Sequence, residues 1–142
     1  MEGAIRMGVC FFLHDGQGKY MIHKRSLAAR DEQGRWDCGG GGVKFGEKIE
    51  DALHREIREE FDATAKRVDF MGYRDVFRDD QASAPHWVVF DFKVQVDPRT
   101  VKNNEPHKCD EIRWVTLGEF EALTEPKHSQ FPIFIEKNRA FL

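Results

Sequence analysis

Cysteine is scarce in this chain: Cys10, Cys38 and Cys109 lie far apart among 142 residues, and no two of them form a CxxC pair. So scattered and odd a set argues against a disulfide framework and a structural zinc site, while free thiols suit a reducing cytoplasm. Long apolar runs are missing as well. No stretch approaches the roughly 20 residues that span a bilayer, so no membrane partner is expected. The opening Met1-Glu2-Gly3-Ala4-Ile5-Arg6 is interrupted by polar residues and lacks a signal-peptide pattern. Nor is there a basic excess: 22 Lys and Arg against 25 Asp and Glu leave a net charge of -3. A nucleic-acid polymer usually needs a concentrated basic face, and none is indicated. A phosphorylated small molecule stays open, because a bound divalent cation reverses the local field of an acidic pocket.

Repeats, low-complexity tails and composition breaks are absent, so residues 1–142 are expected to form a single domain. The chain is 40% apolar and 33% charged, which suits a globular core and argues against disorder. Val9-Cys10-Phe11-Phe12-Leu13 predicts a buried strand within residues 5–14. Asp15-Gly16-Gln17-Gly18 is turn chemistry, and residues 19–25 alternate as a returning strand. Residues 26–35 read as a surface loop. Further strands are predicted over 68–77, 87–96 and 112–116, with helices over 49–61, 117–123 and 132–141. A polar loop with Pro98 and Pro106 spans 97–109. This mixture lacks regular βα alternation and favours an α+β or layered α/β/α arrangement.

Gly39-Gly40-Gly41-Gly42 is the most unusual stretch. Ordering four glycines costs conformational entropy, which predicts tight turns or close backbone approach to something. On the helix over 49–61, Ile49, Ala52, Leu53, Ile57 and Phe61 share a stripe that must face the protein body. Glu56 and Glu60 sit on the inward edge of that stripe, with Glu59 beside them. Clustered carboxylates are costly unless paired or coordinated, and oxygen donors suit Mg²⁺ or Mn²⁺. From the helix alone, a solvated acidic face paired with Arg55 and Arg58 is an equal account.

Gly41, five residues, Glu47, seven residues, then Arg55-Glu56-Ile57-Arg58-Glu59-Glu60 resembles the Nudix box at nearly all its fixed positions. Trp36-Asp37 and Val43, Phe45 and Gly46 resemble its flanks. Glu111-Ile112-Arg113-Trp114-Val115-Thr116-Leu117 is similar to a segment near Nudix C-termini. The departures are Asp62 for the usual Gly, Gly39 for the usual Pro, and Lys44 where many members carry an acid. Asp62 would have to adopt the left-handed conformation of a helix stop at some cost.

The resemblance implies an α+β, Nudix-like α/β/α sandwich with a mixed central sheet. It implies a Mg²⁺- or Mn²⁺-dependent hydrolase that cuts a diphosphate linkage in a small-molecule nucleotide. Glu56, Glu59 and Glu60 would hold metal with the Gly40 or Gly41 carbonyl, Glu47 would support the loop or share a metal, and Arg55 would orient a glutamate. Glu59 or Glu56 would serve as general base, with Glu105, Asp110 and Glu111 as loop alternatives. Arg25, Gly41, Phe77, His86, Trp87 and Glu111 are candidates for substrate contact. The segment 105–111 is similar to loops of members acting on nucleoside triphosphates; residues 86–89 and 128–141 resemble members cleaving nucleoside-diphosphate sugars of the GDP-mannose or ADP-ribose type. A non-catalytic nucleotide sensor and an allylic-diphosphate isomerase using Cys38 are the readings from other classes. Monomer and homodimer both stand open.

Overall fold

The apolar run near the N-terminus becomes the central strand of the protein, β1 (Ile5–His14). In the computed structural model, which describes residues 3–78 and 85–142, its side chains alternate between two apolar layers. Met1 and Glu2, read above for a signal pattern, lie outside the described residues. Val9, Phe11 and Leu13 point to one layer and Phe12 to the other, as strand periodicity requires.

A turn with Gly16 and Gly18 at positive φ (78° and 94°) returns the chain into β2 (Tyr20–Arg25). Two short strands follow, β3 (Trp36–Asp37) and β4 (Gly39–Gly42). Helix α1 (Ile49–Phe61) leads to β5 (Arg67–Phe77) and β6 (His86–Gln95). The chain closes with β7 (Cys109–Val115), α2 (Leu117–Ala122) and α3 (Phe131–Asn138). The seven strands form one mixed sheet, ordered β3-β2-β1-β6-β5, with β4 paired to β1 and β7 to β2. β1 runs parallel to β6 along its whole length. Its other edge is shared, with Gly8 to Phe11 against β4 and His14 against β2.

Helix α1 lays Ala52, Leu53, Ile57 and Phe61 on one face of the sheet, against Val9, Phe11, Leu13 and Met21. Phe120 of α2 and Phe131, Phe134 and Ile135 of α3 cover the other, against Phe12, Tyr20, Ile22 and Trp36. The architecture is thus the expected α+β sandwich with a mixed central sheet. Among the described residues no helix is long and apolar enough to cross a membrane.

Two expectations need correction. The glycine run makes no tight turn: it is an extended strand, and none of its four residues has positive φ. Close approach is what uses them. A Cβ on Gly39 would collide with the Phe11 ring, and one on Gly41 with the Glu56 carboxyl group. β7 begins at Cys109, three residues before the expected start, because its polar first residues pair through backbone with Lys24 and Arg25 of β2.

Helix α1 stops as the sequence anticipates. Asp62 takes left-handed dihedrals (φ 53°, ψ 34°), and its N–H donates to the Arg58 carbonyl at 2.9 Å.

Candidate active site

The absence of side chains on β4 lets α1 pack close to it with its carboxylates inward. Glu56 occupies the space that a Cβ at Gly41 would need. Glu60 faces the Gly40 backbone N–H, which offsets part of the rise that burial gives its pKa. Glu59, half-exposed, stands further out on the same side of the helix.

One guanidinium organises this edge. Arg55 donates through Nε and Nη2 to both oxygens of Glu47, at 2.8 and 2.9 Å. It also donates to Glu56 (2.7 Å), Glu59 (3.2 Å) and the Gly42 carbonyl (2.9 Å). Glu47 additionally accepts from the Lys44 N–H at 3.0 Å. These bonds, those of Arg55 foremost, hold the Glu47 carboxyl at about 2, well below its usual value. Glu47 is therefore the brace between loop and helix, and it does not line the cavity described below. The part of the expectation that had Glu47 share a metal finds no support in this placement.

The loop before β7 is docked on the C-terminus of α1, where free carbonyls need donors. Lys102 N–H reaches the Phe61 carbonyl and Asn104 N–H the Glu60 carbonyl, at 2.8 and 3.0 Å. This docking brings Glu105 toward the helix glutamates. Burial raises the pKa of both Glu56 and Glu60. Glu59 and Glu105 push Glu56 further up, and Glu56, Glu105 and Asp37 do the same to Glu60. Carboxyls so crowded and dehydrated suit a hard divalent cation, which would restore their charged form. Among the described residues, no three carboxylate, imidazole or thiol groups are already gathered around one point. Arg55 stands among the glutamates and holds one oxygen each of Glu56 and Glu59. The carboxylate oxygens of Glu56, Glu59 and Glu60 are of the donor type that would suit Mg²⁺ or Mn²⁺.

A cavity of about 620 Å³ opens beside these carboxylates, within the usual range for a small-molecule site. Glu56, Glu59, Glu60, Gly40, Gly41 and Arg25 all line it. Trp87 does too, as does Glu105, alone among the three loop alternatives for the base. Arg55 stands behind the lining. Phe77, His86 and Glu111 are not among the described residues that line the cavity. Phe77 and His86 stack on each other at 4.5 Å, with Phe77 exposed and His86 bonded to Asp75 at 3.0 Å. Glu111 pairs with Arg113 at 3.0 Å on β7.

The cavity also holds residues to which the sequence assigned no role in the site: His23, Asp37, Arg74, Arg78, His128 and Gln130. His23 is buried with Nδ1 unpartnered among the described residues, and burial lowers its pKa. Arg74 is buried and donates through Nε and Nη2 to the fully buried Asp91, at 2.8 and 2.9 Å. Arg74 shares its strand with Arg67, Asp69 and Asp75, so its charge alone gave the sequence no signal to find it by. Cys38 is buried, its Sγ 3.2 Å from that of Cys10, and hydrogen bonding and burial push its thiol well above the ordinary range.

Comparisons with known proteins agree with this geometry. The NUDIX domain family model matches residues 4–134. A nucleoside triphosphatase NudI from Escherichia fergusonii is 48% identical over 48 residues, 34% of each chain. The match thus spans about a third of the length of that curated relative. Among solved structures, a MutT NUDIX hydrolase from Burkholderia pseudomallei superposes with a TM-score of 0.79 at 25% identity, covering 94% of this chain and 98% of that one. A MutT protein from Methanosarcina mazei gives a TM-score of 0.78 at 21% identity, over 99% and 98% of the two chains. With the family model covering nearly the whole chain and the glutamate helix packed on its glycine strand, this protein belongs to the Nudix hydrolase family.

Proposed function

We propose that this protein hydrolyses a diphosphate linkage of a nucleoside triphosphate or related nucleotide, with Mg²⁺ or Mn²⁺ held by Glu56, Glu59 and Glu60. The observation that carries the reading is the pair of half-buried carboxyls with raised pKa, Glu56 packed against Gly41 and Glu60 facing Gly40, at the edge of a nucleotide-sized cavity. When bound, the cation supplies charge neutralisation of the phosphates and a more acidic water. The chain's own residues do the rest. Arg55 fixes the direction of Glu56 and Glu59, and Glu47 fixes Arg55. The bare strand Gly39–Gly42 lets substrate phosphates approach the backbone closely. Glu59, half-exposed at the rim, is the favoured acceptor of the water's proton, with Glu105 across from it on the loop. Arg25, paired with Asp31 at 2.8 Å, supplies a cation to the cavity wall.

The nucleoside triphosphatase relatives support a triphosphate substrate over a nucleoside-diphosphate sugar. The isomerase reading has less support. It needs a reactive thiol, whereas the Cys38 thiol is buried, paired with Cys10 and held protonated.

The test is an assay of nucleoside triphosphates, nucleoside-diphosphate sugars and dinucleoside polyphosphates, with and without Mg²⁺ or Mn²⁺. Mass spectrometry identifies the products. Metal-dependent release of pyrophosphate or phosphate is expected, and Glu60→Gln should abolish it with the fold intact. Release of sugar phosphate instead would move the reading to the diphosphate sugars. Full activity in Glu60→Gln would sink the metal-holding assignment.

A further inference from the structure

The structure assigns nucleobase recognition to Arg74 and Gln130, which we propose read hydrogen-bond acceptors on the edge of the base; this rests on the nucleotide reading above. Arg74 on β5 is only 8% exposed, and its partner Asp91 on β6 is fully buried. Asp91 also accepts from Lys137 Nζ at 3.1 Å and Asn138 Nδ2 at 3.0 Å, both on α3. The carboxylate is therefore saturated and immobile, and two cations share it. Burying a charge is costly, and a well-packed apolar substitute holds a fold as well or better. The extra positive charge faces the cavity.

Arg74 spends Nε and Nη2 on Asp91. Among the described residues, Nη1 reaches only Gln130 Oε1, at 3.4 Å, the far limit of a hydrogen bond. Both residues line the cavity. The guanidinium is thus pre-aimed, its direction set by Asp91, with donor capacity to spare.

The surroundings suit a flat heteroaromatic ring. Trp87 lies against Gly8 and Gly42, where an added Cβ would meet its indole at 3.4 and 3.9 Å. Val76 and Val89 extend this wall, and Phe134 carries the Arg74 guanidinium over its ring at 5.5 Å. Aromatic and aliphatic walls around a few fixed polar groups are the usual make-up of a base site. β4 places the two ends of a nucleotide: Glu56 meets Gly41 from the α1 side, while Trp87 meets Gly42 from the α3 side. Phosphates at the glutamates would leave the base between Trp87 and Arg74.

Arginine has donors and no acceptor. A base edge bearing carbonyl or ring-nitrogen acceptors would satisfy Nη1, whereas an exocyclic amine there would leave buried donors unpaired, which is how polar sites discriminate.

The experiment is calorimetric binding of non-hydrolysable methylene analogues of the nucleoside triphosphates, in parallel with inorganic tripolyphosphate, in Mg²⁺. Wild type, Arg74→Lys and Gln130→Leu are compared, with thermal melts as the fold check. About tenfold or greater weakening of at least one nucleotide analogue is expected in both variants, with tripolyphosphate binding unmoved. Nucleotide and tripolyphosphate weakening together, or nucleotide affinity unchanged, overturns the assignment. If Arg74→Lys fails to fold, Gln130→Leu decides, since it leaves the Asp91 bonds in place. A wild type that binds the analogues but cleaves no nucleotide defeats the hydrolase reading alone. A wild type that cleaves nucleotides while both variants bind as tightly defeats this inference alone.

Discussion

Arg55 and Glu47 meet fork to fork, Nε on Oε2 at 2.8 Å and Nη2 on Oε1 at 2.9 Å, across the joint between α1 and the loop before it. Two parallel charge-assisted bonds fix orientation as well as distance. The same guanidinium steers Glu56 and Glu59, so slack at Glu47 passes to the carboxylates proposed to hold the cation. Glu47→Gln keeps the shape and removes one acceptor. Its kcat/KM should fall by roughly 10- to 100-fold, as for other groups that orient a metal's holders. Circular dichroism should match wild type. Unimpaired turnover would show that Arg55 needs no brace.

Asp62 ends α1 with a side chain in the left-handed region, where glycine is the unstrained choice. Among the described residues its side chain gains only an exposed pair with Lys102 at 3.6 Å, and such pairs contribute little. Asp62→Gly should therefore stabilise the fold by about 0.5–1 kcal/mol in urea unfolding, the cost of left-handed dihedrals offset partly by greater freedom in the unfolded chain. A loss of stability would mean that Asp62 makes a contribution beyond its backbone geometry.

That stop was legible in the sequence, as was the whole of α1, because a 3.6-residue stripe and a spaced motif coincide there. The glycine strand was not: without side chains it carries no alternation, and only its partner β1 makes it extended. The base-facing wall was missed for a related reason. β5 shifts register between Phe70 and Tyr73, where Gly72 sits at φ 93°. Beyond the bulge the alternation changes parity, so Arg74 and Val76 turn inward while Tyr73 and Phe77 turn out and stay 60% and 66% exposed. Read straight through, the strand offers Phe77 as the plausible substrate contact. His23 and Asp37 become neighbours only through pairing of β2 with β3, which no local pattern encodes.

His14 and His23 are both buried, and burial lowers both pKa values from 6.5. The folded protein keeps them neutral where the unfolded chain would protonate them. Their contribution to stability is complete above 6.5 and is lost as pH falls from there through the lower folded values. Glu56 and Glu60, whose pKa values are raised, act in the opposite sense, so a difference measurement is needed. The Tm drop from about pH 7.5 to about pH 5.5 should be smaller in His14→Gln/His23→Gln than in wild type. Equal drops in the two proteins would refute the histidine contribution.

Gly39 and Gly41 lie two residues apart on β4 with the same outlook, and alanine should affect them in different ways. At Gly39 the new Cβ would meet the Phe11 ring, fully buried in the core against α1. Overpacking of this kind costs about 1–3 kcal/mol, so Gly39→Ala should lower Tm and leave residual activity in proportion to folded protein. At Gly41 the obstacle is the Glu56 carboxyl, the far end of a flexible side chain that can swing aside. Stability should barely change. The displaced carboxylate, however, would leave its bond to Arg55 and its place beside Glu60. Misplacement of a catalytic group by about 1 Å can cost around 100-fold in rate, and Gly41→Ala should show a loss of that order in kcat with a normal melt. A Gly41→Ala protein as active as wild type would mean that Glu56 has no fixed position to keep, and the assignment of that carboxylate to the cation would fall with it.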